Sequence, residues 1–402
     1  MRIETHRAIR RIWAGGGGWG EMLSLGLFPF SWSYGLAVAL RNRFYDRGIC
    51  RRERLPIPVI SVGNITAGGT GKTPLVIHLA RLLKRNGYRP AVASRGYGGD
   101  APGPVHIVSD GQRILMGYRQ AGDEPVLIAG TVAGVPVLTG PRRVIAGRLA
   151  IDRFGADVLI LDDGFQHRHL IRDIDIVTID ARRPFGNGRL LPAGPLREPA
   201  AALRRAHAIL GTGGTDAAVD EEWMISPPDA QHDPRDGKAG LPAIPKFRAF
   251  SRPVDLFGPS TGEAQPLEAL KGRRICAFAG IGEPDNFRET LDALKAEIVA
   301  FTAFPDHYRY GRKDMDRIEE TAAAGRAEAI VTTEKDLVRL ENLPVFPEKL
   351  WALRAEMAVL DADVPFEQWI LHRLSGLGDR MSADTGSPGG GISRLHTGKA
   401  HG

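Results

Sequence analysis

The chain has 402 residues, 43% of them hydrophobic and 25% charged, which excludes a disordered or fibrous protein and leaves room for at least two globular cores. Its only two cysteines, Cys50 and Cys276, exclude a disulfide framework and a cysteine-based metal site, and they favour a reducing compartment. The formal net charge of +6 points to an anionic partner, which is a nucleic acid, a membrane surface or a substrate.

The N-terminal segment contains an uncharged stretch, residues 22–40, that is long enough to cross a bilayer but holds a proline, three serines and two glycines. Within it and just beyond, Trp32, Leu36, Leu40 and Phe44 recur at helical spacing. Basic residues flank this stretch on both sides: Arg2, His6, Arg7, Arg10 and Arg11 before it, and Arg41, Arg43, Arg47, Arg51, Arg52 and Arg54 after it. This pattern predicts a helix lying in a membrane interface through residues 20–45, with no nucleic-acid partner. A helix packed on the protein's own core is the open alternative.

A glycine-rich loop follows the next predicted strand, residues 57–62. It is typical of a nucleotide-phosphate loop, with Thr66 standing where the usual pattern has its first glycine. Lys72 is expected to reach the β- and γ-phosphates, and the Thr73 hydroxyl to ligate Mg²⁺. The predicted phosphate-binding residues are Thr66, Gly68, Gly69, Thr70, Gly71, Lys72 and Thr73.

Strands and helices alternate from this point. Strands are predicted over residues 57–62, 89–94, 135–138, 157–161, 175–180 and 206–211, and helices over residues 74–86, 124–129 and 142–154. A second alternating segment follows, with strands over residues 274–279, 297–301, 329–332, 350–353 and 357–360, and helices over residues 285–295, 313–324 and 365–375. Alternation of this kind predicts an α/β fold with a mostly parallel sheet and helices on both faces.

The predicted organisation has five parts. They are an N-terminal membrane-interface segment at 1–55, a P-loop nucleotide-binding domain at 56–225, a linker at 226–245, a smaller α/β domain at 246–376 and a disordered tail at 377–402. Ligands of such sheets bind beyond the carboxyl ends of the strands, which is where the remaining motifs fall.

Acidic and aromatic residues follow several of these strands. Asp162 and Asp163 end an apolar strand and are candidates to hold Mg²⁺, and Gln166 and His167 follow them within reach of a phosphate or an acceptor. Asp123 opens a helix in the turn Gly-Asp-Glu-Pro, where by position alone a helix cap is the simpler interpretation.

Further candidates lie in loops. Tyr97 lies in a glycine-rich loop, Glu198 in a proline-rich loop, and His307 in the sequence Phe-Pro-Asp-His-Tyr after a strand. The run Thr-Thr-Glu-Lys-Asp at 332–336 ends another strand and is expected to face the same region.

Taken together in this order, the motifs resemble the tetraacyldisaccharide 4′-kinase family over roughly residues 20–375. The resemblance rests on the phosphate loop with its Lys72-Thr73-Pro74 ending, the motifs at 94–98 and 122–125, the run Leu-Asp-Asp-Gly-Phe-Gln-His at 161–167, and the motifs at 191–199 and 304–308. The family tolerates a residue other than glycine at position 66.

The resemblance implies an ATP- and Mg²⁺-dependent kinase of lipid A biosynthesis on the cytoplasmic face of a bacterial inner membrane. The acceptor would be the 4′-hydroxyl of a lipid disaccharide 1-phosphate, bound in a cleft between two α/β/α domains. Asp123 would be the catalytic base and His307 its activating partner. Mg²⁺ would be held by Thr73, Asp163 and Glu198, with Asp162 beside them, and Tyr97, Gln166 and His167 would line the nucleotide site.

Two other classes remain as alternatives. A membrane-associated partitioning or positioning ATPase would carry an early signature lysine in its phosphate loop, where this chain has Ala67. A nucleotide-dependent structural protein would leave Asp123 and His307 without a role. The oligomeric state does not follow from the sequence.

Overall fold

A computed structural model of the chain describes residue 13 and residues 26–213, 244–340, 349–360 and 364–385. The first helix, α1, spans Phe28–Asp46 and precedes the sheet. The predicted first α/β segment follows as β1 (Val59–Gly63), α2 (Lys72–Arg85), β2 (Pro90–Ser94), β3 (His106–Ser109), α3 (Tyr118–Ala121), α4 (Asp123–Thr131), β4 (Val137–Thr139), α5 (Arg143–Phe154), β5 (Val158–Asp162), β6 (Ile174–Asp180) and β7 (Ala208–Thr212).

The second segment begins with two strands that the alternation pattern did not predict. Its elements are β8 (Lys246–Gly258), β9 (Glu263–Gln265), β10 (Arg274–Ala279), α6 (Pro284–Ala293), β11 (Glu297–Ala303), α7 (Arg312–Ala324), β12 (Ala329–Thr333), α8 (Glu334–Arg339), β13 (Leu350–Leu360) and α9 (Phe366–Thr385). The short strand β3 was also missed. The two short strands predicted near residues 350 and 357 are one strand, β13.

All these strands join one sheet in the order β11-β10-β12-β13-β8-β7-β6-β1-β5-β2-β4-β3, with β9 paired to β8. Every neighbouring pair is parallel except β13 with β8, β4 with β3 and β8 with β9. The predicted α/β class with a large, mostly parallel sheet is therefore confirmed. The second group of strands extends the same sheet instead of forming a separate one, because β8 pairs with β7 on one side and with β13 on the other.

Alternate residues of the central strands enter cores on opposite faces of the sheet, as the period of a strand requires. Along β5, Val158 and Ile160 belong to one core, while Leu159 and Leu161 belong to the other. The strand β10 divides its residues in the same way between two further cores. Helices therefore cover both faces of the sheet in both segments, which leaves the carboxyl ends of the strands to carry polar side chains.

The closing helix α9 packs back on the first segment, because Phe366 and Ile370 lie in a core with Phe247, Met357 and the helix α2. It continues to Thr385, past the predicted boundary at residue 376, so residues 377–385 are helical and not part of a disordered tail. Most of the predicted linker, residues 226–243, and the tail residues 386–402 lie outside the described residues. The division into separate folding domains stays a prediction.

Candidate active site

The glycine-rich loop leaves the carboxyl end of β1, the central strand between β5 and β6. Gly71 adopts a left-handed conformation with φ 73°, and Lys72 is then the first residue of α2, with Thr73 buried behind it. A side chain at position 71 would also contact the Thr212 methyl group at 3.1 Å. Glycine is therefore required there to turn the backbone into a helix whose first N–H groups are suited to bind an anion.

Buried hydroxyls hold the loop in place. Thr70 Oγ1 lies 2.8 Å from Thr178 Oγ1 and accepts a hydrogen bond of 3.0 Å from Asn64 Nδ2. Thr212 Oγ1 donates to the Thr70 carbonyl at 3.1 Å. These contacts tie the loop to β6 and β7 of the sheet.

The proline-rich loop at 190–199 borders the phosphate loop. The Ala67 amide donates to the Pro195 carbonyl at 2.7 Å, and the Arg197 amide donates to the Ile65 carbonyl at 2.7 Å. Thr66 forms an isolated antiparallel bridge with Leu196. Thr66 therefore lies against this neighbouring loop, which explains how the position accommodates a side chain.

Asp163 lies between two cations. Its carboxylate is 3.0 Å from Arg197 Nη1 and 3.6 Å from Lys72 Nζ. Burial alone would raise the pKa of Asp163, but Lys72 and Arg197 hold it below its usual value. The structure thus joins the predicted metal ligand Asp163 to the predicted phosphate-binding residue Lys72, with Arg197 as a third member.

Asp162 is completely buried, and one of its oxygens has no partner. Oδ2 accepts a hydrogen bond of 3.2 Å from Ser94 Oγ, whereas Oδ1 lacks a hydrogen bond. Burial, followed by the charges of Glu124 and Asp163, raises the pKa of Asp162 to about 7. A buried carboxylate oxygen without a donor is expensive unless a proton or a cation occupies it, so this position suits a divalent cation.

No group of three or more histidine, cysteine or acidic side chains among the described residues would hold a metal by itself. Mg²⁺ normally takes one or two carboxylates together with phosphate oxygens and water. Asp162 and Asp163 beside the phosphate loop agree with that kind of site.

Glu198 lies in different surroundings from those expected of a metal ligand. Its buried carboxylate contacts Arg205 Nη2 at 2.8 Å, Asn42 Nδ2 at 2.9 Å and Arg41 Nη2 at 3.4 Å. Two guanidinium groups and an amide therefore already share its oxygens. The contacts join Glu198 to helix α1, and none of them is to the phosphate loop.

Asp123 and His307 meet although 184 positions separate them, with His307 Nδ1 3.0 Å from Asp123 Oδ2. Asp123 is buried and is the first residue of α4, and His307 follows β11 with φ 56°. The Asp123 Oδ1 atom accepts from the Glu124 amide at 2.9 Å. A simple helix-cap role is therefore insufficient, because Oδ2 is directed at groups from the second segment.

Two cations of α8 also contact Asp123. Arg339 Nε donates to Asp123 Oδ2 at 2.7 Å, and Lys335 Nζ lies 4.0 Å from the same oxygen. Burial alone would raise the pKa of Asp123, but His307, Lys335 and Arg339 hold it far below its usual value. Lys335 belongs to the strand-end run that the sequence singled out, whereas Arg339 follows in an ordinary helical stretch and gave no signal.

The other predicted site residues occupy distinct positions. Tyr97 is 66% exposed, and its ring lies edge-on to His307 with centroids 5.6 Å apart. Gln166 Nε2 donates to the Asn64 carbonyl at 2.8 Å, so the side chain supports the start of the phosphate loop. Burial, with a further contribution from Arg143, lowers the pKa of His167 to about 4.

Arg143 is a buried member of this region that sequence reasoning missed. Its Nη1 atom donates to the Gly140 carbonyl at 2.6 Å, while its Nε atom has no partner. Burial lowers the pKa of Arg143 to about 10, and the charges of Asp162 and Asp163 oppose that shift. The only sequence signal for Arg143 is the pair Arg142-Arg143 directly after Gly140-Pro141.

Helix α1 docks on the proline-rich loop through one face. Ser31 Oγ donates to the Leu190 carbonyl at 2.8 Å, and Tyr34 OH donates to the Arg197 carbonyl at 2.9 Å. The opposite face leaves large apolar side chains exposed, with Trp32 at 67%. The others are Phe28, Phe30, Leu36, Leu40 and Phe44. Within the described residues the helix itself therefore packs on the protein, as the alternative expected, but through the face of Ser31 and Tyr34, while the apolar face stays exposed. The membrane-interface role of that apolar face stays a prediction.

No helix among the described ranges is both long and apolar enough to cross a bilayer.

The central phosphate loop, the paired aspartates on the next strand and the Asp–His contact define a P-loop phosphotransferase. Residues 23–375 match the family model of tetraacyldisaccharide-1-P 4′-kinase. The chain therefore belongs to the tetraacyldisaccharide 4′-kinase family, the kinases of lipid A biosynthesis, which excludes the partitioning-ATPase and structural-protein alternatives.

Individual relatives agree with the family match. The tetraacyldisaccharide 4′-kinase of Syntrophus aciditrophicus is 54% identical over 360 residues, covering 89% of this chain and 96% of that protein. The enzyme of Anaeromyxobacter dehalogenans is 45% identical over 305 residues, covering 76% of this chain and 78% of that protein. The crystal structure of LpxK from Aquifex aeolicus, solved with ATP, is 33% identical with a TM-score of 0.68, covering 88% of this chain and 99% of that one.

Proposed function

We propose that this kinase transfers the γ-phosphoryl group of ATP, with Mg²⁺, to the 4′-hydroxyl of a lipid disaccharide 1-phosphate at a membrane surface. The observation that carries the chemical assignment is the 3.0 Å contact between Asp123 and His307, two residues from the two segments of the sheet. That contact unites a carboxylate of α4 with an imidazole of the loop after β11. The family membership and the ATP bound to the Aquifex aeolicus relative support the choice of donor.

In this proposal the phosphate loop and Lys72 bind the phosphates of ATP. The N–H groups after Gly71 and the start of α2 offer partial positive charge to the anion. Lys72 is 3.6 Å from Asp163, so binding of a phosphate would divide this cation between the carboxylate and the nucleotide. Phosphoryl transfer depends chiefly on such positioning and neutralisation.

Thr73, Asp162 and Asp163 are the residues that would hold Mg²⁺. The unpartnered Oδ1 atom of buried Asp162 supports this assignment, since it is a hard oxygen donor with no competing hydrogen bond. The cation would neutralise charge on the phosphate oxygens when bound. Glu198 is a weaker candidate because its contacts with Arg41 and Asn42 direct its carboxylate to helix α1, whereas Asp163 contacts Lys72 of the phosphate loop.

The Asp123–His307 pair would serve as the base that takes the proton of the attacking hydroxyl. An ionised carboxylate only accepts hydrogen bonds, so the contact with Oδ2 keeps the histidine proton on Nδ1. Nε2 of a neutral His307 then retains a lone pair, and the carboxylate would stabilise the imidazolium that proton uptake creates. Tyr97, edge-on to His307 and largely exposed, would form one wall for the acceptor.

The exposed face of α1 would bring the enzyme to the cytoplasmic surface of a bacterial inner membrane, where an acylated substrate resides. Its aromatic side chains suit the headgroup region, and Arg43 and Arg47 suit anionic lipid. The opposite, docking face of α1 and the phosphate loop both contact the proline-rich loop at 190–199. An interface helix would thus lie close to the donor site without spanning the bilayer.

The test is transfer of labelled γ-phosphate from ATP to a lipid disaccharide 1-phosphate in detergent micelles. The product should carry the label at the 4′ position, and transfer should require Mg²⁺. An acceptor lacking only the 4′-hydroxyl is the matched control and should receive none. Hydrolysis of ATP with no label on the lipid would contradict the proposal.

A further inference from the structure

The short helix α8, Glu334–Arg339, presents two cations one turn apart to Asp123, the carboxylate of the Asp123–His307 pair. Lys335 and Arg339 are at positions i and i+4, so their side chains emerge from one face of the helix. Both lie near Asp123 Oδ2, which belongs to the other segment of the sheet. The feature lies outside the phosphate loop and the predicted metal ligands.

Arg339 is only 2% exposed, although arginine side chains usually lie at the protein surface. Nε donates to Asp123 Oδ2 at 2.7 Å, and Nη2 donates to the same oxygen. Nη1 donates to Asp336 Oδ1 at 2.9 Å and to the Gly280 carbonyl. Asp336 is itself fixed by the Gly280 amide at 3.0 Å and by Tyr310 OH at 3.0 Å. These contacts fix the orientation of the guanidinium group, whose Nε and Nη2 atoms both donate to Asp123.

Lys335 lies among three carboxylates. Its Nζ atom is 3.6 Å from Glu124, 3.7 Å from Asp306 and 4.0 Å from Asp123. The charged and titratable groups that face Asp123 are Glu124 on its own helix, Asp306 and His307 from the loop after β11, and Lys335 and Arg339 from α8. Without the two α8 cations, the remaining carboxylates would repel one another in a buried site.

We propose that Lys335 and Arg339 are positioning residues for phosphoryl transfer, which hold the Asp123 carboxylate ionised and directed at His307. This inference rests on the proposed role of the Asp123–His307 pair. A protonated Asp123 would no longer orient the Nδ1 proton of His307 or stabilise an imidazolium. The two cations act through Asp123, which both of them contact.

Burial favours the neutral form of a carboxylic acid, and the two cations oppose it. Loss of either cation should therefore bring protonation of Asp123 toward the pH range in which activity is measured. It should lower kcat more than it raises the KM for ATP, because the phosphate loop keeps its own contacts. If Lys335 and Arg339 only linked the two segments structurally, their loss would change stability and the fraction of active enzyme but would not move the pH profile.

The experiment compares Lys335→Met, Lys335→Arg and Arg339→Lys with the wild-type chain, each measured as kcat, KM for ATP and kcat/KM against pH. Lys335→Met should lower kcat at least tenfold at pH 7, with KM for ATP within threefold, and should move the acidic limb of the profile to higher pH. Lys335→Arg should restore most of the activity. Lys271→Met, at an exposed position, removes the same charge and should match the wild type.

Arg339→Lys keeps the positive charge near Asp123 but loses the paired guanidinium hydrogen bonds to its carboxylate. It should therefore also move the acidic limb of the pH profile to higher pH. If Lys335→Met fails to fold, this conservative variant decides the question by the same profile. The inference would be overturned if folded Lys335→Met had the wild-type kcat and an unmoved acidic limb. If Lys335→Met does not fold, the same result in folded Arg339→Lys would overturn it.

Asp123→Asn separates the inference from the proposed function. Should Asp123→Asn keep wild-type turnover, the base assignment fails and the inference with it. Should Asp123→Asn lose turnover while the α8 variants retain their profile, only the positioning role fails.

Discussion

Asn42 Nδ2 donates a hydrogen bond of 2.9 Å to Glu198 Oε2, and this contact fastens the exposed apolar helix α1 to the loop beside the phosphate loop. The neighbouring residue Arg197 contacts Asp163, so two consecutive side chains point to two different parts of the protein. Arg197 reaches the donor site, whereas Glu198 reaches the helix that we assign to the membrane surface. The loop thus joins the two regions through adjacent positions.

Replacing Glu198 distinguishes a structural anchor from a metal ligand. Glu198→Ala leaves Arg205, which is partly exposed, without its buried carboxylate partner, and breaking such a pair from one side costs at most about 3–5 kcal/mol of unfolding free energy. We expect a marked fall in the denaturation midpoint, with the Mg²⁺ concentration for half-maximal activity within threefold of wild type. Asp163→Ala is the comparison that should change the Mg²⁺ requirement. A tenfold shift in Mg²⁺ requirement with unchanged stability would restore Glu198 as a ligand.

Removing apolar side chains from the exposed face of α1 should weaken binding to vesicles. The triple variant Trp32→Ser, Leu36→Ser, Phe44→Ser loses three side chains that the protein leaves in solvent, so folding should be little affected. Co-sedimentation with vesicles of phosphatidylethanolamine and phosphatidylglycerol should fall at least tenfold. The double variant Ile114→Ser, Leu115→Ser removes exposed apolar side chains elsewhere and serves as the control. Equal binding of the triple variant and the wild type would contradict the interface role.

The predictable parts of this fold are those whose signals are local. The phosphate loop, the strand that ends at Asp162 and the alternation around them depend on glycine positions and short apolar runs, so the sequence specifies them directly. The antiparallel pairing of β8 with β13 does not, because it matches residues 246–258 with residues 350–360 across about a hundred positions. Its strands alternate exposed and buried residues too irregularly to stand out.

The candidate site divides in the same way. Asp163 and Lys72 could be joined in advance, since the carboxyl ends of adjacent parallel strands meet at one edge of a sheet. Arg339 could not, because its proposed role depends on a contact with a residue 216 positions away, and the helical sequence around it gives no signal. The family resemblance places Glu198 with the metal, and no local sequence signal shows that Asn42 and Arg205 would contact its carboxylate.

The half-buried imidazole of His167 should make stability depend on pH. Its pKa is about 4 in the folded protein, against about 6.5 in an unfolded chain. Between these values the unfolded state binds more protons, so stability should fall as the pH is lowered from about 7 to 4, by up to about 3 kcal/mol from this residue. The measurement is urea unfolding at several pH values.

His167→Gln should flatten that dependence relative to wild type, since glutamine does not titrate. His372→Gln, at an exposed position, should leave it unchanged. A wild-type slope in His167→Gln would mean that the imidazole is already protonated in the folded protein, contrary to its burial beside Arg143 and Arg172.

Substitution of the Asp–His pair provides the most direct test of the base. Asp123→Asn keeps the size of the side chain but removes the charge that holds His307 and Arg339. We expect turnover to fall at least a hundredfold, because a positioned base contributes on the order of 10²–10⁴ in rate. ATP binding, measured by calorimetry without acceptor, should stay within a few-fold of wild type since the phosphate loop is untouched.

His307→Gln should show the same division between turnover and ATP binding. If the two residues act as one unit, the double variant Asp123→Asn, His307→Gln should be little slower than either single variant, because the second substitution removes nothing that the first has left intact. Losses that multiply would mean that Asp123 and His307 act on different steps. Such a result would limit the 3.0 Å contact between them to a structural role.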